Sequence, residues 1–236
     1  MSTQSRPQCP PTKSTQSVRA WTILFGTALL GLIADLWSKG YAFTHVVGHP
    51  VIITREDVLS AHDLWRLIPP HEPVTVIDGL LEFTLVLNPG AVFGIGAGQR
   101  WFFVFFTVIA VVIALILFVR WTHAKDWVAH AGFGLIIAGG VGNLYDRLVF
   151  ACVRDFIHPL PGVQLPFGLT WPGGNTELWP YVSNVADAFL IFGIVLLMIH
   201  AWKMPDGTRQ KDGQKNEVSE SGEEKHISKT PVSSDS

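Results

Sequence analysis

A chain of 236 residues with 48% hydrophobic and only 15% charged side chains, a mean hydropathy of +0.33 and a net charge of −2 lacks the charge density of a soluble globular protein. The near balance of 17 basic and 19 acidic residues excludes a general nucleic-acid binder, two cysteines exclude a disulfide scaffold, and no His/Cys spacing fits structural zinc. What charge the chain has is gathered at its ends and in the connections between apolar stretches.

Residues 1–19, rich in Ser, Thr, Gln and Pro, carry too little apolar surface to offset ordering entropy and read as a disordered leader. The first apolar window reaches spanning length, over 20–43, only if its helix continues through Asp35 and Lys39, which then lie one turn apart. No small-residue cleavage site follows it, so this span reads as retained. In the segment 44–100, the β-rich run 74–77 and the alternation of Leu81, Phe83, Leu85 and Leu87 flank the Asp78-Gly79 turn signal, which predicts a small β-hairpin ended by Pro89-Gly90.

A second span, 101–120, is uncharged until Arg120 closes it, and a third, 126–146, is Gly-rich. Residues 158–180 hold Phe167, Trp171, Trp179 and five Pro, with Glu177 as the one acidic residue and no Lys or Arg. That composition is too apolar for a free linker and too broken for a long helix, so it predicts an irregular flap on the outer leaflet. A fourth span follows at 182–203, and the polar tail 204–236 reads as disordered. The predicted fold is an all-α membrane protein of four transmembrane helices within residues 20–203, with a small extracytoplasmic β element between the first and second. Eleven Lys and Arg fall in the leader, the connection after the second span and the tail, against six elsewhere, which puts both termini in the cytoplasm.

Carboxylates in membrane spans need a reason, since an Asp at a helix centre costs about 2.5–3.5 kcal/mol on insertion scales. Asp35, Asp146 and Asp187 all map to the same end of their spans. Gly139, Asn143 and Asp146 form one stripe of the third helix at i, i+4, i+7, and Asn184 and Asp187 lie at i, i+3 on the fourth. Two carboxyls held close share a proton, so that one serves as general base on a water while the other serves as acid. Glycines 139, 140 and 142 allow the close helix approach that such a pair needs. Plainer readings stand beside this one: Asp35 with Lys39 as a structural ion pair, Asp146 with Arg147 as an interfacial one, and the Trp residues as interface anchors. A small proton- or ion-coupled membrane protein could use the same carboxylates as a relay, and a third reading is an inactive scaffold.

Five blocks in order resemble lipoprotein signal peptidase (signal peptidase II), the four-span aspartyl endopeptidase family of bacterial inner membranes. They are Asp35-Leu-Trp-Ser-Lys39, Asn88-Pro-Gly-Ala-Val-Phe-Gly94, Gly139-Gly-Val-Gly-Asn-Leu-Tyr-Asp-Arg147, Val153-Arg-Asp-Phe-Ile157 and Asn184-Val-Ala-Asp-Ala188. The resemblance implies cleavage before the diacylglyceryl-modified Cys of prolipoproteins by an Asp146/Asp187 dyad. It makes Asn143, Arg147 and Asn184 supporting residues, Asn88 and Gly90 part of the region facing substrate, and Asp35 with Lys39 a structural pair. It implies no metal and no cofactor, lipidated prolipoprotein and membrane lipid as partners, and a monomer in the bacterial inner membrane. Asp146 and Asp187 are 41 positions apart, a wider gap than the resemblance leads one to expect, and the surplus falls in 158–180.

Overall fold

The structure, a computed structural model, describes residues 12–90 and 100–203. Four helices are long and apolar enough to cross a membrane: α1 (Val18–His45), α3 (Arg100–Trp121), α4 (Trp127–Val149) and α5 (Val185–Trp202), with a short α2 (Arg55–Ser60) between the first two. The expected disordered segments 1–11 and 204–236 lie outside the described residues. The chain divides into two units after Met198; everything below belongs to the first, and the described residues of the second only complete α5 and its end.

Residues 12–17 depart from the disordered leader expected of them. Ser14 is fully buried, its hydroxyl 2.7 Å from that of Thr122 and 3.0 Å from His130 Nε2, within a 3-10 turn over Ser14–Gln16. Composition misses this because one buried hydroxyl, satisfied by two polar groups on α3's end and α4, ties down a segment that has no core of its own. Ser17 then caps α1 through Ala20 N–H.

α4 is the most buried of the four and packs between α1 and α3. Its glycines set that spacing: a Cβ at Gly142 would collide with the Asp35 carboxylate of α1, and one at Gly139 with the Ala186 carbonyl of α5. Two apolar cores form along α1. One joins Ala20 and Leu24 to Ala114, Phe118 and Phe133; the other joins Ala42 and Phe43 to Ile53, Val58, Leu85 and Phe156. Asp35 and Lys39 lie between them, so the polar groups gather in a layer sealed by apolar side chains above and below.

The expected hairpin forms from β1 (Val74–Ile77) and β2 (Leu81–Asn88), but the sheet has a third strand, β3 (Val153–Pro159), in the order β1-β2-β3. The β element is therefore not confined to the connection between the first two spans. Ala151, at φ 66, turns the chain off α4 in the left-handed conformation and sends β3 back along β2. Between Phe83↔Ile157 and Val86↔Asp155 the register slips by one residue, a bulge that re-aims the end of β2. α5 begins at Val185 rather than 182, for a reason found in the site itself.

Candidate active site

Asn184 immediately precedes α5. Its Oδ1 accepts from Asp187 N–H at 3.2 Å, and Asp187 Oδ2 accepts from Asn184 N–H at 3.2 Å, the reciprocal bonding of a capping box. The Asn-x-x-Asp spacing is thus a helix start, and it fixes the Asp187 carboxylate at the mouth of the helix. Asp35 adds a cap from another helix, its Oδ1 accepting from Ala186 N–H at 2.9 Å. Negative charge at this end is further favoured by the α5 dipole.

Around that helix start, five elements converge. Lys39 Nζ donates to Asp35 Oδ2 at 2.8 Å and to Asn143 Oδ1 at 3.0 Å, and lies 3.3 Å from Asp146 Oδ2, so its three protons face three acceptors in a site closed to solvent. Asn143 Nδ2 donates to Asp187 Oδ1 at 2.8 Å. Asn184 Nδ2 donates to Asp155 Oδ1 at 2.6 Å and to Asn143 Oδ1 at 3.1 Å. Asn88, at the end of β2, donates from Nδ2 to Asp155 Oδ2 at 3.1 Å, while its Oδ1 accepts from Gly90 N–H at 2.9 Å. Gly90 turns at φ 93, where a Cβ would meet the Phe103 ring. Arg147 donates to the Asn143 carbonyl at 3.2 Å and lies over Phe103, and its buried Nε has no hydrogen-bond partner among the described residues.

Each residue expected from sequence is in or beside this network, but their pairing differs. Asp146 sits between two cations. Its Oδ1 accepts from Arg154 Nη2 at 2.8 Å and Nε at 3.2 Å, and its Oδ2 accepts from Arg154 N–H at 3.0 Å and faces Lys39. Both of its oxygens are thereby taken up by Arg154 and Lys39. Its bonds hold both the backbone and the side chain of Arg154, the residue before Asp155. The carboxyl that Asn184 joins to Asp187 is Asp155, on β3, rather than the expected Asp146.

Asp155 is almost wholly buried while Asp187 is partly exposed. Burial first, and the neighbouring Asp187 charge second, push the Asp155 carboxyl up to about 7, against the opposing pull of the Asn184 and Asn88 hydrogen bonds and of Lys39. Lys39, Arg147 and Arg154 stand among Asp35, Asp146, Asp155 and Asp187, three cationic side chains among four carboxyls. Cys152, buried beside the cluster, has its thiol pushed up to about 12, chiefly by burial, and stays neutral.

Sequence reasoning passes over Arg154 and Asp155 although it quotes the block that contains them. A search for carboxylates in apolar windows finds those on membrane helices, and Asp155 stands on a strand beyond the end of one. The available signal was Val153-Arg-Asp-Phe-Ile157 itself, a β-rich run with a carboxylate at its centre that matches the apolar alternation of 81–87 as a third strand.

A family model described as signal peptidase (SPase) II matches residues 27–203. A lipoprotein signal peptidase of Streptococcus pyogenes is 34% identical over 156 residues, 66% of this chain and 91% of that protein. Those of Desulfitobacterium hafniense and Geobacillus kaustophilus are 35% and 36% identical over 129 residues, covering 73% and 74% of their lengths and 54% and 55% of this chain. A solved structure described as a bacterial membrane enzyme, determined by the in meso method at 2.3 Å, superposes with a TM-score of 0.56 at 23% identity, over 85% of this chain and 96% of that one, and shares the fold. With four apolar helices around a buried carboxyl network and a family match over most of its length, the chain is a multi-pass membrane protein that belongs to the signal peptidase II family of proteases.

Proposed function

We propose that the protein is an aspartic endopeptidase of the bacterial inner membrane that removes signal peptides from prolipoproteins by cutting just before the diacylglyceryl-modified Cys, with Asp155 and Asp187 as the catalytic pair. The observation that carries the pairing is Asn184, which donates to Asp155 Oδ1 while its own backbone and side chain are locked to Asp187. Family membership supports the substrate class.

The environments of the two carboxyls divide their labour. Asp187, partly exposed and held by Asn143 and the α5 cap, is the ionised base; Asp155, buried and raised, carries the proton. A water between the carboxyls and the scissile carbonyl loses a proton to Asp187 as its oxygen bonds to the carbonyl carbon, while Asp155 gives its proton to the carbonyl oxygen. The resulting gem-diol collapses when Asp187 returns a proton to the leaving amine nitrogen and Asp155 takes one back from a hydroxyl. The C–N bond breaks, and both carboxyls regain their starting states. Lys39, Asp35, Asp146 and Arg154 do not touch substrate in this scheme; they fix β3 and the start of α5 so that the two carboxyls face the same water.

The helix ends that hold the site lie on the sheet side, which the distribution of Lys and Arg assigns to the outer face, with both termini in the cytoplasm. A lipid anchor on the substrate Cys would hold the scissile bond at that depth. Incubation of the purified protein with a lipidated prolipoprotein should release the signal peptide with the cut immediately before the Cys. An equal rate on the unlipidated precursor would overturn the substrate assignment.

A further inference from the structure

Residues 158–180 connect the two proposed catalytic carboxyls by an irregular path without a long helix, and backbone hydrogen bonds pin that path. Its feet are fastened together: Ile157 N–H donates to the Ser183 carbonyl and Ser183 N–H to the Ile157 carbonyl, both at 2.8 Å, two residues past Asp155 and one before Asn184. Further out, Leu178 N–H bonds the Val163 carbonyl at 2.6 Å and Leu165 N–H bonds the Thr176 carbonyl at 2.7 Å, which makes a two-armed hairpin. Trp171 is used inside it, its indole N–H donating to the Glu177 carbonyl at 2.8 Å and its ring packing edge-on against Tyr181.

Phe167 is not used inside it. The ring is 98% exposed, and its backbone stands at φ 61, ψ 20, the left-handed region that a side chain with a Cβ disfavours. Leu169 is exposed beside it. Two unfavourable features in water, a free aromatic ring and a disfavoured backbone that presents it, coincide at one turn. Charge separates this tip from the rest of the sheet-side chain. Residues 159–176 contain no charged side chain, whereas the connection 46–73 carries Arg55, Glu56, Asp57, Asp63, Arg66 and Glu72. Glu177, the acidic residue at the base of the hairpin, lies 3.6 Å from His158 Nε2. The hairpin springs from the strand that leaves α4 and returns directly into α5, so its feet adjoin the ends of two helices long and apolar enough to cross a membrane.

We infer that this hairpin is a lipid-seated element, with Phe167 and Leu169 inserted among the acyl chains and headgroups of the leaflet on the sheet side, where aromatic side chains without charge are favoured. Because its feet are the residues that flank Asp155 and Asn184, seating the tip fixes the height of the proposed catalytic pair relative to the lipid surface. Only this consequence rests on the protease reading. Insertion itself is measured without substrate, so failure of the one is told apart from failure of the other.

The test uses the full chain with Cys9→Ser, which leaves the buried Cys152, and single cysteines from Phe167→Cys, Leu169→Cys, Ile191→Cys and Ala61→Cys carrying an environment-sensitive fluorophore. Each is placed in nanodiscs of phosphatidylethanolamine and phosphatidylglycerol, with and without lipids bearing a doxyl group near the headgroup. The probe at Phe167 should be blue-shifted and should lose fluorescence to the doxyl lipid as fully as the probe at Ile191 on α5, with the probe at Ala61 unaffected. A probe at Phe167 that behaves like the one at Ala61 would overturn the inference. So would quenching that develops only on adding a lipidated prolipoprotein, since the tip would then belong to the substrate. If Phe167→Cys does not fold, the same comparison is decided by Leu169→Cys, which alters no left-handed residue.

Discussion

Asp155 and Asp146 are nine residues apart and both buried, yet their environments give them opposite chemistry. Asp146 is ion-paired to Lys39 and Arg154, while Asp155 accepts from amide donors and stands beside the charge of Asp187, with Lys39 as the smallest opposing pull. An Asp that ionises at 3.8 in isolation and at about 7 in the fold keeps a proton that the unfolded chain has already released between those values. Folding stability therefore falls as pH rises through that window and is level above it, a differential of about 4 kcal/mol at its full extent. Asp155→Asn removes the titration, so its melting temperature relative to wild type should climb from about pH 4 to about pH 7 and stay level above that. A difference that stays flat across this range would show that Asp155 is not the proton carrier. Asp146→Asn acts the other way: it strips a counter-charge from Lys39 and Arg154 in a closed site and should destabilise by about 3–5 kcal/mol. Wild-type stability of that variant in a thermal melt would contradict the bracing role.

At the scale of elements, periodicity and hydropathy gave spans 20–43, 101–120, 126–146 and 182–203, beside the observed Val18–His45, Arg100–Trp121, Trp127–Val149 and Val185–Trp202. Long apolar windows are legible because each helix must satisfy its backbone internally and show lipid an apolar face, whatever its neighbours. The hairpin 74–88 is legible through alternation and the Asp78-Gly79 turn. Illegible were features that exist only through tertiary partners. β3 is a strand because β2 offers it an edge, Ser14 is ordered because Thr122 and His130 receive it, and the arms of 163–178 pair beyond the Ile157–Ser183 bridge that holds their feet together. Of the site, the Asn and Asp residues on helices could be named from spacing, and their capping box at 184–187 could have been; Arg154 and Asp155 required the sheet. Gly139 and Gly142 have a use that spacing alone leaves general, admitting the Ala186 carbonyl and the Asp35 carboxylate against α4.

Across the whole molecule, two apolar cores on α1 enclose a layer in which three cations and four carboxyls are spaced by three asparagines. Such a layer tolerates its charges because nearly every donor meets an acceptor, and the raised Asp155 is the group proposed to lend its proton to peptide hydrolysis. Its depth in the membrane depends on orientation, which is checked by labelling cysteines placed at Ala61 and Lys125 with an impermeant reagent in intact cells. Ala61 should react and Lys125 should not; the reverse would turn the proposed topology over. The most direct test of the catalytic pairing is single-turnover cleavage of a lipidated prolipoprotein by Asp155→Asn, with the melting temperature of the same preparation. The expected result is a protein at least as stable as wild type near neutral pH whose cleavage has dropped by about 10²-fold or more. Cleavage at the wild-type rate by folded Asp155→Asn would remove Asp155 from the chemistry and return the search to Asp146.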